Sequence, residues 1–202
     1  RGIAQAVLGA GGRVLIGDLD DAAGRACLDE WQRDEDAAFQ HLDITDEASV
    51  STFIAVALQR FGRIDGLVNN AGIAGPHGTR LQDMAWDEWQ RRLSSLHGAF
   101  LCSKHALPAR SASAAGAIIN IASTHSSHII PGCFPYPVAK HGLLGLTRAL
   151  GIEYAPKGIR VNAIAPGYIE TQLNVDYWNG FPDPHAERQR AFDLHPPNRI
   201  GQ

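Results

Sequence analysis

The chain alternates short apolar runs with longer amphipathic stretches, and this alternation limits its possible folds more than any other feature. The apolar runs, which we predict to be strands, cover residues 13–16, 37–39, 64–68, 117–121 and 159–164. The amphipathic stretches, which we predict to be helices, cover residues 20–33, 46–61, 86–110 and 137–155. Strands that alternate with helices in this way indicate an α/β fold, in which a parallel sheet is covered by helices on both faces.

Polar or turn-forming residues follow each of the predicted strands. They are Asp18, Asp43, Asn69, Asn70, Ser123, Pro166 and Gly167. In an open parallel sheet, ligands bind outside the carboxyl ends of the strands. Turn formation alone explains any one of these residues, but their occurrence at every strand end favours a binding site at this edge of the sheet.

Composition excludes several classes of function. The 202 residues predict one domain, 1–202, and the net charge of −3 offers no basic surface for nucleic acid or for a membrane. No apolar run is long enough to span a bilayer. Cys27, Cys102 and Cys133 form no CxxC motif and predict no disulfide framework. We therefore expect a cytoplasmic protein, and we predict no metal site because His125 and His128 have no carboxylate or cysteine at ligand spacing.

Tyr136 and Lys140 carry the clearest chemical signal. A spacing of four residues places both side chains on one face of a helix. A nearby ammonium group favours the phenolate and so lowers a tyrosine pKa that is ordinarily about 10. Ser123, at the end of a predicted strand, can donate a hydrogen bond to a substrate oxygen. On spacing alone, a surface Tyr–Lys pair without a catalytic role remains the alternative.

The order of these motifs resembles the short-chain dehydrogenase/reductase family over essentially the whole chain. Residues 69–72 (NNAG) resemble a family segment, and residues 119–123 resemble the strand that carries the family's catalytic serine. Ser123 stands 13 residues before Tyr136, which is the usual interval. Residues 166–171 resemble the family's PGxxxT turn. The resemblance implies a Rossmann-like doubly wound parallel sheet, a single NAD(P)-binding domain and an oxidoreductase that interconverts an alcohol and a carbonyl.

The resemblance also implies roles for individual residues. Tyr136 is the expected acid/base, Ser123 orients the substrate oxygen, and Lys140 lowers the tyrosine pKa and holds the nicotinamide ribose. Ser95 stands where the family has an asparagine that connects the lysine to solvent, so we expect proton exchange that is either reduced or rerouted through another water or His97. The expected cofactor-binding residues are Gly2, Ile3, Asp18, Leu19, Asp43, Ile44, Asn70, Ala71, Gly72, Tyr136, Lys140, Pro166, Gly167, Ile169 and Thr171.

Two residues predict NAD rather than NADP as the cofactor. Asp18 is placed to accept hydrogen bonds from the adenosine ribose and would repel a 2′-phosphate. Leu19 occupies a position that is often basic in family members that prefer NADP. Arg1 points the other way, since its position sometimes binds the 2′-phosphate.

The chain also departs from the family at its ends. We expect a fragment that lacks the family's first strand, its last helix and its last strand. The first strand lies in the middle of the family's sheet, so its two neighbours would lie about 10 Å apart instead of roughly 4.8 Å. We therefore expect these 202 residues alone to fold poorly and to bind cofactor weakly. In a full-length protein the resemblance implies a homo-oligomer, either a tetramer or a dimer.

The segment 173–194 is expected to cover the substrate. Its aromatic residues indicate either a lid or packing onto the body of the protein. A polyol, sugar or hydroxy acid is the preferred substrate. The alternatives to an NAD-dependent alcohol dehydrogenase are an NADP-dependent 3-ketoacyl-type reductase and a catalytically silent nucleotide-binding scaffold.

Overall fold

A computed structural model describes residues 1–73, 79–109 and 116–201. The strands in this part of the chain are β1 (Val14–Asp18), β2 (Ala37–His41), β3 (Gly66–Asn69), β4 (Gly116–Ile121) and β5 (Ile159–Ile164). The helices are α1 (Gly2–Gly9), α2 (Asp21–Trp31), α3 (Glu47–Phe61), α4 (Trp86–Arg92), α5 (Ser94–Ala106), α6 (Tyr136–Tyr154), α7 (Gln172–Asn179) and α8 (Pro184–Asp193). The predicted α/β class with parallel strands is confirmed.

The strands of the described residues form two parallel sheets. One sheet pairs β1 with β2, and the other has the order β3–β4–β5. Val14 pairs with Ala37 in the first sheet, and Gly116 pairs with Ile159 in the second. No pairing joins β1 to β3 in the described ranges.

Helices cover both faces of the first sheet. A Cβ atom built on Gly17 would meet Phe53 of α3, whereas the ring of Phe39 lies against Gly24 of α2. Gly17 pairs with Gln40, the residue next to Phe39. Because side chains alternate between the faces along a strand, α2 and α3 must lie on opposite faces, as a doubly wound sheet requires.

One apolar cluster links the two sheets through α3 and α5. Its buried members are Leu42, Val50 and Cys102, and the partly buried residues against it include Leu67 of β3. A second cluster joins β4 to β5 through Ile118, Ile159 and Val161. These clusters fix the ends of β2, β3 and β4 relative to one another.

Several predicted helix boundaries hold for identifiable physical reasons. The Asp20 and Asp46 side chains accept hydrogen bonds from backbone N–H groups and cap α2 and α3. After α6 a 3₁₀ turn covers Ala155–Lys157, and Gly158, with a φ of +72°, ends it.

The predicted helix 86–110 is wrong as a single element. It is divided into α4 and α5 at Leu93, whose backbone N–H donates to the carbonyls of both Trp89 and Gln90. That tighter hydrogen bonding interrupts the helix where Ser94 and Ser95 become buried. Residue 110, the last of the predicted range, lies outside the described residues.

Candidate active site

The carboxyl end of β4 and the start of α6 bring Ser123, Tyr136 and Lys140 together. Ser123 begins a 3₁₀ turn, Thr124–Ser126, directly after β4. Its side chain lies close enough to that of Tyr136, the first residue of α6, to lower the pKa of the phenol. Lys140 lies one turn further along, with its Nζ 5.5 Å from the centre of the Tyr136 ring. The fold therefore brings together the three side chains that were predicted from the order of the motifs.

Burial controls the electrostatics of this cluster. Loss of solvent raises the pKa of Tyr136 above its usual value, while the Ser123 side chain lowers it and the nearby Cys133 raises it further. Burial also lowers the pKa of Lys140 to about 8. Desolvation of the phenol is the largest of the influences on the pKa of Tyr136. That Lys140 lowers this pKa remains a prediction. The Lys140 Nζ donates a hydrogen bond to the carbonyl of Ile121, 2.8 Å away.

Ser95 lies beside the segment that follows β3. It is buried at 7% exposure on α5. A Cβ atom built on Gly72 would come within 2.9 Å of the Ser95 Cβ, so the backbone at Gly72 passes directly over this serine. Ser95 thus contacts one of the predicted cofactor-binding residues, and a side chain at position 72 would force the two segments apart.

The predicted cofactor-binding residues lie at strand ends and at the start of α1. Gly2 and Ile3 form the first turn of α1. Asp18 ends β1 and is exposed, with Oδ1 accepting the backbone N–H of Asp20. Asp43 follows β2 and accepts hydrogen bonds from the N–H and hydroxyl of Thr45, which lower the pKa of its carboxyl.

The residues that follow Asp43 and Asp18 in the sequence are apolar, as a binding site for a nucleotide requires. Ile44 packs on α5, where a Cβ atom on Gly98 would lie 2.6 Å from the Ile44 Cδ1. Leu19 is 63% exposed beside Asp18. An acidic side chain for the ribose and an apolar neighbour at one strand end suit the adenosine half of a nicotinamide dinucleotide, so the residues present fit this cofactor.

The loop after β5 is tied to both the serine turn and α8. The N–H of Thr124 donates to the Pro166 carbonyl at 2.9 Å. The N–H of Tyr168 donates to His195 Nε2 at 3.3 Å, while His195 Nδ1 lies 2.7 Å from the carbonyl of Ala191 and can donate to it. Ile169, which is predicted to meet the nicotinamide, forms a parallel bridge with Gly201. Thr171, the other predicted contact, caps α7.

The segment 173–194 contains α7 and α8, which the sequence pattern did not predict. Trp178 and Ala191 of this segment form a buried cluster with Ile200, which lies after it, and Trp178 is only 3% exposed. Tyr177 is 38% exposed and its ring packs edge-on against Phe181. Trp178 therefore holds the segment together, whereas the Tyr177–Phe181 pair faces outward.

Comparison with known proteins decides the family. A family model described as enoyl-(acyl carrier protein) reductase matches residues 1–202. The chain is 37% identical over 205 residues to trans-4-hydroxycyclohexanecarboxylate dehydrogenase of Sinomonas cyclohexanicum, which covers 95% of this chain and 77% of that protein. This chain belongs to the short-chain dehydrogenase/reductase family.

Two further family members support the assignment. The cis-4-hydroxycyclohexanecarboxylate dehydrogenase of the same organism is 41% identical over 167 residues, covering 81% of this chain. A crystal structure of an actinorhodin polyketide ketoreductase variant with NADPH superposes with a TM-score of 0.89 at 29% identity, covering 99% of this chain and 79% of that one. The chain spans 66% and 77% of the length of the two cyclohexanecarboxylate dehydrogenases.

Membership of the short-chain dehydrogenase/reductase family implies a nicotinamide cofactor. None of the helices in the described part of the chain is long and apolar enough to cross a membrane. Within the same ranges, no group of three or more histidine, cysteine, aspartate or glutamate side chains is arranged to hold a metal ion.

Some polar residues that support the site were not predicted from the spacing of the sequence motifs. Asn120, fully buried on β4, accepts a hydrogen bond from Asn69 Nδ2 and donates one to Thr147 Oγ1 on α6. Ser126 and His195 each bridge two backbone segments near the site. The only signal for Ser126 was its position three residues after Ser123, which matches the spacing of a capping box.

Proposed function

We propose that this protein oxidises a secondary alcohol to a ketone, and catalyses the reverse reduction, with a nicotinamide cofactor. The observation that carries the proposal is the grouping of Ser123, Tyr136 and Lys140, in which the Ser123 side chain lowers the pKa of the phenol and the Lys140 ammonium lies 5.5 Å from the phenol ring. These groups lie at the carboxyl edge of the sheet, where a ligand binds in this fold.

The chain's own residues handle the proton in this reaction. In the direction of oxidation, the Tyr136 phenolate accepts the proton of the substrate hydroxyl, and the Ser123 hydroxyl donates a hydrogen bond to the same oxygen. The Lys140 ammonium stabilises the phenolate by its charge. When bound, the cofactor supplies the hydride acceptor for the carbinol carbon.

NAD is the proposed cofactor. Asp18 is exposed at the end of β1, where its charge would repel a 2′-phosphate, and Leu19 beside it has no charge to compensate. Arg1, the one residue that favoured NADP, forms an ion pair with Glu30. An uncompensated carboxylate next to a phosphate is costly, which supports NAD.

A hydroxy acid is the proposed substrate class. Both dehydrogenases from Sinomonas cyclohexanicum are named for a secondary alcohol on a ring that also has a carboxylate. In this chain His125 follows Ser123 and places its ring 5.6 Å from that of Tyr136. An imidazole at that distance can donate a hydrogen bond to a polar group away from the reacting carbon.

An NADP-dependent ketoacyl-type reductase is the second candidate. It is favoured by the ketoreductase crystallised with NADPH and by 43% identity over 160 residues to a putative ketoacyl reductase of the monensin polyketide synthase from Streptomyces virginiae. Asp18 and Leu19 argue against it.

The proposed state of the full-length protein is a homo-oligomer, either a tetramer or a dimer, in the cytoplasm. Large apolar side chains on α5 and α6 support self-association, since Phe100 is 52% and Ile152 is 79% exposed. Cys27, Cys102 and Cys133 are all free, which suits a reducing compartment.

A matched pair of substrates tests activity and substrate class together. The assay compares 4-hydroxycyclohexanecarboxylate with 4-methylcyclohexanol, each with NAD and with NADP, using the wild type and Tyr136→Phe. We expect NAD-dependent turnover that favours the carboxylate and is lost in the variant. Preference for NADP and a β-ketoacyl thioester would support the second candidate, whereas turnover that survives in Tyr136→Phe would contradict both.

A further inference from the structure

The hydroxyl of Ser126 lies between the catalytic serine turn and the helix that carries Tyr136 and Lys140. It accepts a hydrogen bond from the backbone N–H of Ser123 at 3.3 Å. It donates one to the backbone carbonyl of Lys140 at 2.8 Å. One side chain therefore connects the backbones of two residues in the proposed catalytic group.

Burial makes this bridge a defined contact. Ser126 is 4% exposed, so water does not compete for its hydroxyl. The turn that contains it is closed by a backbone hydrogen bond from the Ser126 N–H to the Ser123 carbonyl at 2.8 Å. The Ser123 Oγ in turn accepts the N–H of His125 at 3.2 Å.

We propose that Ser126 is a positioning residue, which holds the Ser123 hydroxyl beside the Tyr136 phenol by tying the serine turn to α6. The inference rests on the proposed roles of Ser123 and Tyr136. It adds a residue that touches neither substrate nor cofactor and acts through the backbone.

Removal of the hydroxyl has a definite consequence for Tyr136. In Ser126→Ala the buried Ser123 N–H loses its acceptor and the turn loses its attachment to α6. The distance between the Ser123 and Tyr136 side chains then increases. The Ser123 side chain lowers the tyrosine pKa against the effect of burial, so the pKa of Tyr136 rises when the two side chains move apart.

Ser126→Ala replaces none of the other groups that face Tyr136. They are the Lys140 ammonium on α6, the His125 ring on the serine turn, and the Cys133 thiol on the loop before α6. The variant therefore removes no titratable or charged group near Tyr136.

Direct titration of Tyr136 tests the proposal without relying on turnover. The protein is labelled with ¹³Cζ-tyrosine, the Tyr136 resonance is assigned with Tyr136→Phe, and its pKa is measured by NMR. We expect Ser126→Ala to raise that pKa by about half a unit or more. Ser126→Thr, which keeps a hydroxyl, is expected to restore the wild-type value.

Ser127→Ala is the matched control. Ser127 is exposed in the same turn, and its hydroxyl bonds to the Thr124 carbonyl at 3.3 Å rather than to α6. We expect its Tyr136 pKa to equal that of the wild type. If Ser126→Ala does not fold, Ser126→Cys replaces it, because a thiol is a weaker hydrogen-bonding group.

Turnover provides a second readout. With a substrate of the proposed class, Ser126→Ala is expected to lower kcat about tenfold and leave the KM for the cofactor unchanged. A folded variant with the wild-type Tyr136 pKa and kcat would overturn the proposal. A raised Tyr136 pKa in a protein without any dehydrogenase activity would support the bridge and refute the proposed function.

Discussion

The Nζ of Lys140 donates a hydrogen bond to the carbonyl of Ile121, 2.8 Å away, and so joins α6 to the last residue of β4. The lysine is 6% exposed, and its burial lowers the pKa to about 8. A cation held away from water is destabilising unless it is well solvated by protein groups. The proposed electrostatic role of Lys140 therefore has a cost that depends on pH.

Lys140→Met is expected to change how stability varies with pH. In the unfolded chain the lysine keeps its proton to about pH 10.5, whereas in the folded protein it loses it near pH 8. The unfolded state therefore binds more protons between these values, and the free energy of unfolding rises with pH. The raised pKa values of Cys102 and Cys133 oppose this rise, but they do so in both proteins. Chemical denaturation from pH 8 to 9.5 should therefore show a more positive slope of unfolding free energy against pH in the wild type than in Lys140→Met.

The control for that experiment is Lys157→Met, since Lys157 is exposed over the ring of Tyr154. The upper limit of pH 9.5 avoids titration of Tyr136, whose raised pKa acts in the opposite direction above pH 10. Parallel stability curves for the wild type and Lys140→Met would contradict the prediction.

Asp18→Ala combined with Leu19→Arg is expected to shift the cofactor preference toward NADP. The double change removes the charge that repels a 2′-phosphate and adds one that attracts it. We expect kcat/KM for NADP, divided by kcat/KM for NAD, to rise by about 100-fold. A change of this size corresponds to the free energy of two favourable charge contacts.

Asp29→Ala is the matched control for this change of charge, because Asp29 is exposed on α2 away from the strand end. It should leave the cofactor ratio at its wild-type value. An unchanged ratio in the double variant would show that Asp18 does not face the adenosine ribose.

Gly98→Ala is expected to destabilise the protein. The added Cβ would lie 2.6 Å from Ile44 Cδ1 and 2.7 Å from Ile44 Cβ. Overpacking of this kind costs about 1–3 kcal/mol. The free energy of unfolding from urea denaturation measures it.

The same substitution at another glycine, Gly145→Ala, is expected to stabilise the protein instead. Gly145 is also helical, and a Cβ atom there would meet nothing within 4 Å. Alanine in a helix is favoured over glycine, so this variant should be more stable by about 0.5–1 kcal/mol. Equal effects at both positions would show that Ile44 does not pack on Gly98.

Ser95→Asn tests whether the missing asparagine limits proton exchange. The amide extends further than the serine hydroxyl, and we expect a faster alcohol oxidation with a changed pH profile. Ser95→Ala, which removes the hydroxyl without adding an amide, separates this effect from the loss of the serine. An Asn variant with unchanged rate and pH profile would refute the idea.

Sequence order was enough to predict which residues gather at the carboxyl edge of the sheet. The strand ends at Asp18, Asn69 and Ile121 lie where the apolar runs indicated, because strand periodicity is a local property. The grouping of Ser123 with Tyr136 followed from motif order. Their assignment as catalytic residues remains a prediction.

Other features depend on tertiary packing and could not be predicted in this way. The interruption at Leu93 and the helices α7 and α8 arise from local hydrogen bonding and from the burial of Trp178. The bridge at Ser126 depends on a contact between residues 14 positions apart. The raised pKa of Tyr136 reflects burial, which spacing does not reveal.

Transfer of deuterium from an alcohol to the cofactor tests the central claim most directly. The wild type is incubated with NAD and a hydroxy acid deuterated at its carbinol carbon, and the reduced cofactor is analysed by mass spectrometry. Direct hydride transfer assisted by Tyr136 predicts cofactor that has gained one deuterium, and none with Tyr136→Phe. Reduced cofactor without deuterium, or equal labelling by the variant, would contradict the account.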